Sequence, residues 1–241
     1  MSMMLGVILG VAVIATAIMI HEAGHLMAAK ALRIPVKEFA VGFGPRLIAG
    51  KWRGTVYTVR LVLVGGYVLP DQEAFDAAPA WKRILVFAAG PAVNLLTAVA
   101  IVTAAGLCLG APPAKSLAAG FAFLGLVAQA TVEFLQVFGV QAVGGPLAMS
   151  YGYGYMFANQ VPAVEMALVG ATLHATLGLV NLLPLPVLDG GQILAALVRL
   201  KPTSRAYQLV LTANGVLIFV TFAAIMAYDA WRIVTRSFPG M

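Results

Sequence analysis

From Met3 to Ile20 the chain carries no charged residue, and the run ends in His21-Glu22-Ala23-Gly24-His25. An apolar stretch of that length reads as a membrane-spanning helix. Two imidazoles and a carboxylate then appear before the crossing is complete. A charge at that depth costs about 2.5–3.5 kcal/mol on insertion scales, so a polar cluster there points to function. On a helix, His21 and His25 stand four residues apart on one face. Both can offer a ring nitrogen to one Zn²⁺, with Glu22 close by to take a proton from a metal-bound water. Zinc lowers the pKa of such a water toward about 7. A catalytic zinc takes three protein ligands and keeps one position open, so a third ligand is expected elsewhere in the chain.

Composition agrees with a membrane setting. The 241 residues are 61% hydrophobic and 10% charged, with mean hydropathy +0.95. This is the signature of an α-helical polytopic membrane protein, with room for about four spans and a modest polar insert. The net charge of +6 comes from clustered basic residues that report topology. No basic array with interleaved aromatics suits nucleic acid. The single cysteine, Cys108, excludes an internal disulfide. The N-terminal run has no basic leader, and cleavage there would remove or expose the metal motif, so it reads as a retained span.

We expect one domain over 1–241, with spans at about 3–32, 84–109, 164–188 and 206–228. Lys30, Arg33 and Lys37 follow the first span and place its C-terminal end in the cytoplasm. Residues 34–70 change texture: β-branched and aromatic residues alternate with Gly42, Gly44, Pro45, Gly50, Gly54, Gly65 and Gly66, which predicts a membrane-associated β-hairpin region. A strand edge there could hold a substrate in extended form; the plain alternative is a structural hairpin packed on the bundle. Asp71 to Lys82 reads as an interfacial helix with Trp81 at the membrane surface. In the second span, Pro91 and Asn94 stand out. A proline in a span needs partners for the backbone groups it frees, and Asn94 either joins helices or points toward the site. Helix 115–140 carries Gln129, Glu133 and Gln136, and the 141–162 region after it has no lysine or arginine. We therefore expect an extra interfacial or re-entrant helix on the external side, before the third span. If it crossed fully, the polar cluster of the third span would fall on the wrong side of the membrane.

That cluster supplies the third ligand. Asp189 lies in Asn181-Leu-Leu-Pro-Leu-Pro-Val-Leu-Asp189-Gly190-Gly191, where two prolines and two glycines break the helix. Its carboxylate suits zinc; its alternative role is an N-cap. Asn181 can donate to the oxyanion of a tetrahedral intermediate or join helices. His174 is the rival third ligand, about 10 Å up a regular helix from Asn181. A His₂–carboxylate set also suits iron.

These motifs together resemble the site-2 protease family of intramembrane zinc metalloproteases, most of all the bacterial members that cleave membrane-bound anti-sigma factors. The resemblance rests on HEAGH, Gly42-Phe-Gly-Pro45, Gly65-Gly-Tyr-Val68, Ala89-Gly-Pro-Ala-Val-Asn94, Gly144-Gly-Pro146, Asn181…Leu188-Asp-Gly-Gly191 and Tyr228-Asp229, in order along nearly the whole chain. It implies His21, His25 and Asp189 as ligands of one zinc, Glu22 as general base and Asn181 at the substrate site. It also implies that the 36–70 region presents substrate, with Gly65, Gly66, Tyr67, Val68 and Asn94 as candidate substrate contacts. The implied substrate is a transmembrane protein or peptide cut near the cytoplasmic face of a bacterial inner membrane. Many such relatives carry a PDZ domain between the second and third core spans. Leu109 to Lys115 leaves no room for one, so access control falls to the 115–162 region or to a separate regulatory membrane protein. An ion, proton or metal transporter is the competing class, since intramembrane His, Glu and Asp also build ion paths; a scaffold that kept only the site's outline is another.

Overall fold

In the computed structural model, the described residues are 2–137, 146–198 and 205–235. They form an α-helical membrane protein with one small sheet. Helix α1 spans Ser2–Ala31, and strands β1 (Val36–Trp52) and β2 (Thr55–Pro70) follow it. Then come α2 (Gln72–Ala77), α3 (Ala80–Cys108), α4 (Pro113–Val137), α5 (Pro146–Ala158), α6 (Ala163–Asn181), α7 (Asp189–Leu197) and α8 (Arg205–Val234). Among the described residues, Met4–Ala31, Ala80–Cys108, Pro113–Val132 and Ala163–Asn181 are long and apolar enough to cross a membrane. The span expected at 206–228 lies within α8.

Helices α1 and α3 run antiparallel at close range. A Cβ on Gly24 would lie 2.6 Å from the carbonyl oxygen of Ala89 and 3.0 Å from Gly90 Cα, so the two backbones touch because Gly24 and Gly90 carry no side chain at the crossing. Helix α6 runs parallel to α1 and packs on α3, where Gly178 meets Pro91 and Leu95. Ala98, Val102, Val127, Ala171 and Ala175 form the buried seam where α3, α4 and α6 meet.

The 115–140 segment, expected as an interfacial or re-entrant helix, packs against the bundle as α4. Helix α4 folds back on α3 after Leu109–Pro112 and tracks it for several turns. Ser116 packs on Gly106, and Gly120 sits against Val99 and Thr103. Small residues on both helices permit that close approach. Residues 138–140 of the expected helix lie outside the described residues, as do Gly144 and Gly145. Helix α5 then runs back along the first half of α1: Gly10 faces Ser150, and Gly6 faces Gly154. The α4–α5 pair makes a there-and-back excursion, so α6 still enters parallel to α1. A fully crossing α4 therefore does not carry Asp189 to the wrong end of the bundle.

The expected hairpin region is one curled sheet. Arg53 and Gly54 both adopt positive φ, at 45° and 80°, which is the backbone of a two-residue turn between twisted strands. Phe39 pairs with Tyr57 on one side and with Val68 on the other. Residues 66–70 are thereby left as an edge alongside α1, where Gly66 packs near Met19. Leu26, Ala29, Ile34, Val36, Phe75 and Val86 close the junction of α1, the sheet, α2 and α3. The expected helix over 71–82 is divided by Pro79, which stands at the N-cap of α3; Asp71 caps α2 by accepting from the Ala74 N–H at 3.0 Å.

Candidate metal centre

Four separate stretches of chain build the site. Helical spacing stacks His21 and His25 on the face of α1 that meets α3. Both are buried, at 6% and 9% exposure. Gly90 makes room for them: a Cβ there would collide with His25 Nε2. One turn before Gly90, Val86 O accepts a 2.7 Å hydrogen bond from His25 Nδ1. Asp189 arrives from the far end of the chain. Helix α6 stops at Asn181, the Pro184–Pro186 segment turns back, and α7 begins at Asp189. Gly190 and Gly191 pack so tightly on the carbonyls of Leu182 and Leu185 that any side chain would collide. The alternative N-cap role is not what the geometry shows: Leu188 occupies that position.

Three donor atoms converge. Asp189 Oδ2 is 3.0 Å from His21 Nε2 and 3.4 Å from His25 Nε2, and the two Nε2 atoms are 3.1 Å apart. A tetrahedral ion with ligands at about 2.0–2.1 Å has edges of about 3.3 Å, so the spacings match such an ion. The chemistry also fits. Asp189 Oδ2 is buried and has no hydrogen-bond partner among the described residues. His25, donating through Nδ1, directs the lone pair of Nε2 at the same point. His21, His25 and Asp189 form the candidate metal cluster of the described residues.

Around the cluster is a cavity of about 630 Å³, lined by Glu22, Tyr67, Val68, Asn181 and Gln192 among others. Glu22 lies within reach of the Val68 backbone N–H. Of the expected substrate contacts, Tyr67 and Val68 face this cavity. Gly65 turns the strand at φ 93°, and Gly66 packs against Met19 and Ala40. Asn181 lines the cavity, but one amide N–H is donated back to Leu177 O at 2.9 Å. Asn94 is fully buried behind His21 and is not part of the lining. His174 lies behind Asn94, at 3.1 Å, and outside the cluster. Sequence reasoning did not find Val86, whose part is played by a backbone atom, nor Gly90, whose part is to have no side chain.

A curled sheet edge and a His₂–Asp cluster inside a helical bundle define a class: an integral membrane protein with a metal-site cluster buried among its helices. The chain belongs to peptidase family M50, whose model matches residues 9–222. It is similar to the regulator of sigma-W protease RasP of Bacillus subtilis, 39% identical over 84 residues. It also resembles the zinc metalloprotease RasP of Bacillus licheniformis, 38% identical over 84 residues, and the chloroplastic membrane metalloprotease ARASP of Arabidopsis thaliana, 32% identical over 114 residues. The matched stretches cover 34%, 34% and 42% of this chain, but only 20%, 20% and 26% of those relatives.

Proposed function

We propose that this protein is a zinc-dependent intramembrane endopeptidase that hydrolyses a peptide bond within or next to a transmembrane segment. The observation that carries the reading is the convergence of His21 Nε2, His25 Nε2 and Asp189 Oδ2 beside Glu22 in one cavity. Those three residues would hold one zinc per chain. When bound, the zinc supplies a Lewis acid and a water of lowered pKa. Glu22 takes the proton from the attacking water and passes it to the leaving amine, so the peptide bond breaks with proton balance kept. Burial of the histidines strengthens these interactions. The 66–70 edge presents backbone groups to an unwound substrate, which a helical substrate must become before its carbonyl can be attacked. Asn181, which lines the cavity, would orient that carbonyl with its second N–H.

The substrate class is a membrane-bound protein, such as an anti-sigma factor or a signal-peptide remnant. The membrane is a bacterial inner membrane with the site toward the cytoplasm, as the basic residues Lys30, Arg33, Lys37, Lys82 and Arg83 at that end of the bundle suggest. The test is zinc content together with cleavage of a transmembrane peptide. Glu22→Gln is expected to keep its zinc and lose cleavage about 10²–10⁴-fold, whereas His21→Ala and Asp189→Ala lose both. A fully active Glu22→Gln protein would reject the mechanism. Metal-dependent ion flux without cleavage would favour a transporter.

A further inference from the structure

The two histidines of the cluster have different kinds of partner. His25 Nδ1 meets the carbonyl of Val86. A carbonyl only accepts, so the His25 proton sits on Nδ1 and the Nε2 lone pair faces the cluster. His21 Nδ1 meets instead the side-chain amide of Asn94, 3.3 Å from its nitrogen. An amide has a donor at one end and an acceptor at the other, and the two ends are interchangeable in shape. It does not by itself decide which His21 nitrogen carries the proton. With Nδ2 toward His21, the amide donates to Nδ1, and a neutral His21 then points an N–H at Asp189. With Oδ1 toward His21, the Nδ1 proton is held and Nε2 is free to ligate. The choice passes to the next residue. His174 Nδ1 lies 3.1 Å from Asn94 Oδ1, so in this structure the amide turns Nδ2 to His21 and Oδ1 to His174. Asn94 is fully buried and His174 is 4% exposed, so water does not replace either partner.

Resting on the His₂–Asp zinc reading above, we infer that Asn94 and His174 are positioning residues that set the tautomer of His21. In the metal-competent arrangement the amide is turned over from the one described above, so that Asn94 presents Oδ1 to His21 and Nδ2 to His174, a change that leaves its shape unaltered. His174 accepts at Nδ1 and carries its own proton on Nε2. A chain of hydrogen bonds through α1, α3 and α6 thereby makes His21 a ligand. His25 needs no such chain, because its partner has one possible role.

The test is zinc affinity of the full chain in detergent, by competition with a chelator, together with melting of the metal-free protein. Asn94→Leu is expected to weaken zinc binding about 10–100-fold, the usual cost of removing a residue that orients a metal ligand. Asn94→Asp is expected to retain wild-type affinity, because a carboxylate facing His21 only accepts. His174→Phe leaves the amide present but unheld and is expected to fall between the two. Asn94→Asp buries a carboxylate and is expected to melt lower than the wild type without metal, so retained affinity in a less stable protein shows that a folding defect does not account for the pattern. Wild-type affinity in Asn94→Leu overturns the inference, as does a loss in Asn94→Asp equal to that in Asn94→Leu. A wild-type protein without zinc, or a His21→Ala protein that keeps it, overturns the underlying zinc reading instead.

Discussion

Gly90 carries no side chain because the imidazoles of α1 occupy that space. A Cβ there would strike His25 Nε2 and lie 2.9 Å from His21 Cε1. The residue touches no substrate and offers no donor, yet it decides whether two ligands keep their places. Gly90→Ala is therefore expected to cost about 1–3 kcal/mol by overpacking and to weaken zinc binding at least about tenfold by displacing His25. Measured zinc content of the purified variant checks this, and full occupancy would contradict it. Glu22 is the opposite case, since Glu22→Gln changes chemistry without changing shape.

The curled sheet is the element that brings Val68 to the metal cluster, and Glu38 holds it together. Glu38 is buried at 6% exposure. It accepts from Thr58 and Arg60 at 2.8 Å each, and from Arg46 at 2.8 Å. Burial alone would raise its pKa from 4.5, but the hydrogen bonds from Arg60, Thr58 and Arg46 outweigh burial and hold it at about 2. A carboxyl lowered on folding contributes stability above its unfolded pKa, and that contribution fades as pH falls through the folded value. The sheet is thus expected to loosen between about pH 4.5 and about pH 2. Glu38→Gln should abolish that part of the pH dependence and destabilise the protein at neutral pH, since it leaves Arg60 and Arg46 without their counter-charge. Melting as a function of pH reads both effects. The sheet edge makes a second prediction. Val68 pairs with Phe39 and lines the cavity beside Glu22, so a proline at 68 removes a donor from the edge while zinc binding stays intact. Val68→Pro is expected to lose about 100-fold in cleavage, the scale of a misplaced catalytic group. An unchanged rate would show that the edge does not position Glu22.

At the scale of the molecule, α1 and α6 run the same way beside α3, and that arrangement brings His21 and His25 together with the remote Asp189 at one point. An ion held there, as proposed above, would tie α7 to α1. Zinc that binds the folded chain alone stabilises it by about 2.7 kcal/mol at a hundredfold excess over Kd. Chelation should lower the melting temperature of the wild type and leave that of Asp189→Ala unmoved. Equal shifts in the two proteins would place the stabilising ion elsewhere. The α4–α5 excursion belongs to the same scale. It uses two helices between α3 and α6, so the direction of α6 does not depend on whether α4 crosses the membrane.

Much of this was legible in the residues. The uncharged run, the fourfold spacing of His21 and His25, the glycine-rich β texture of 34–70 and the proline-broken segment before Asp189 each follow from local rules: helical periodicity, the lipid's intolerance of charge and the backbone preferences of proline and glycine. Those rules do not reach across the chain. The fold-back of α4 along α3 rests on small residues at Gly106, Ser116 and Gly120, which hydropathy does not register. The return of α5 along α1 rests in the same way on Gly6 and Gly10. The place of Asn94 was open for the same reason: an amide in a span suits either a cavity or a helix seam. Its burial between His21 and His174 depends on which faces of α1, α3 and α6 meet. By itself the sequence determined the fold class, the family resemblance and the residue types of the site. Tertiary packing decided which atoms converge and which residues stand behind them, because distance in space between remote segments is a property of the packed helices and of no single stretch of chain.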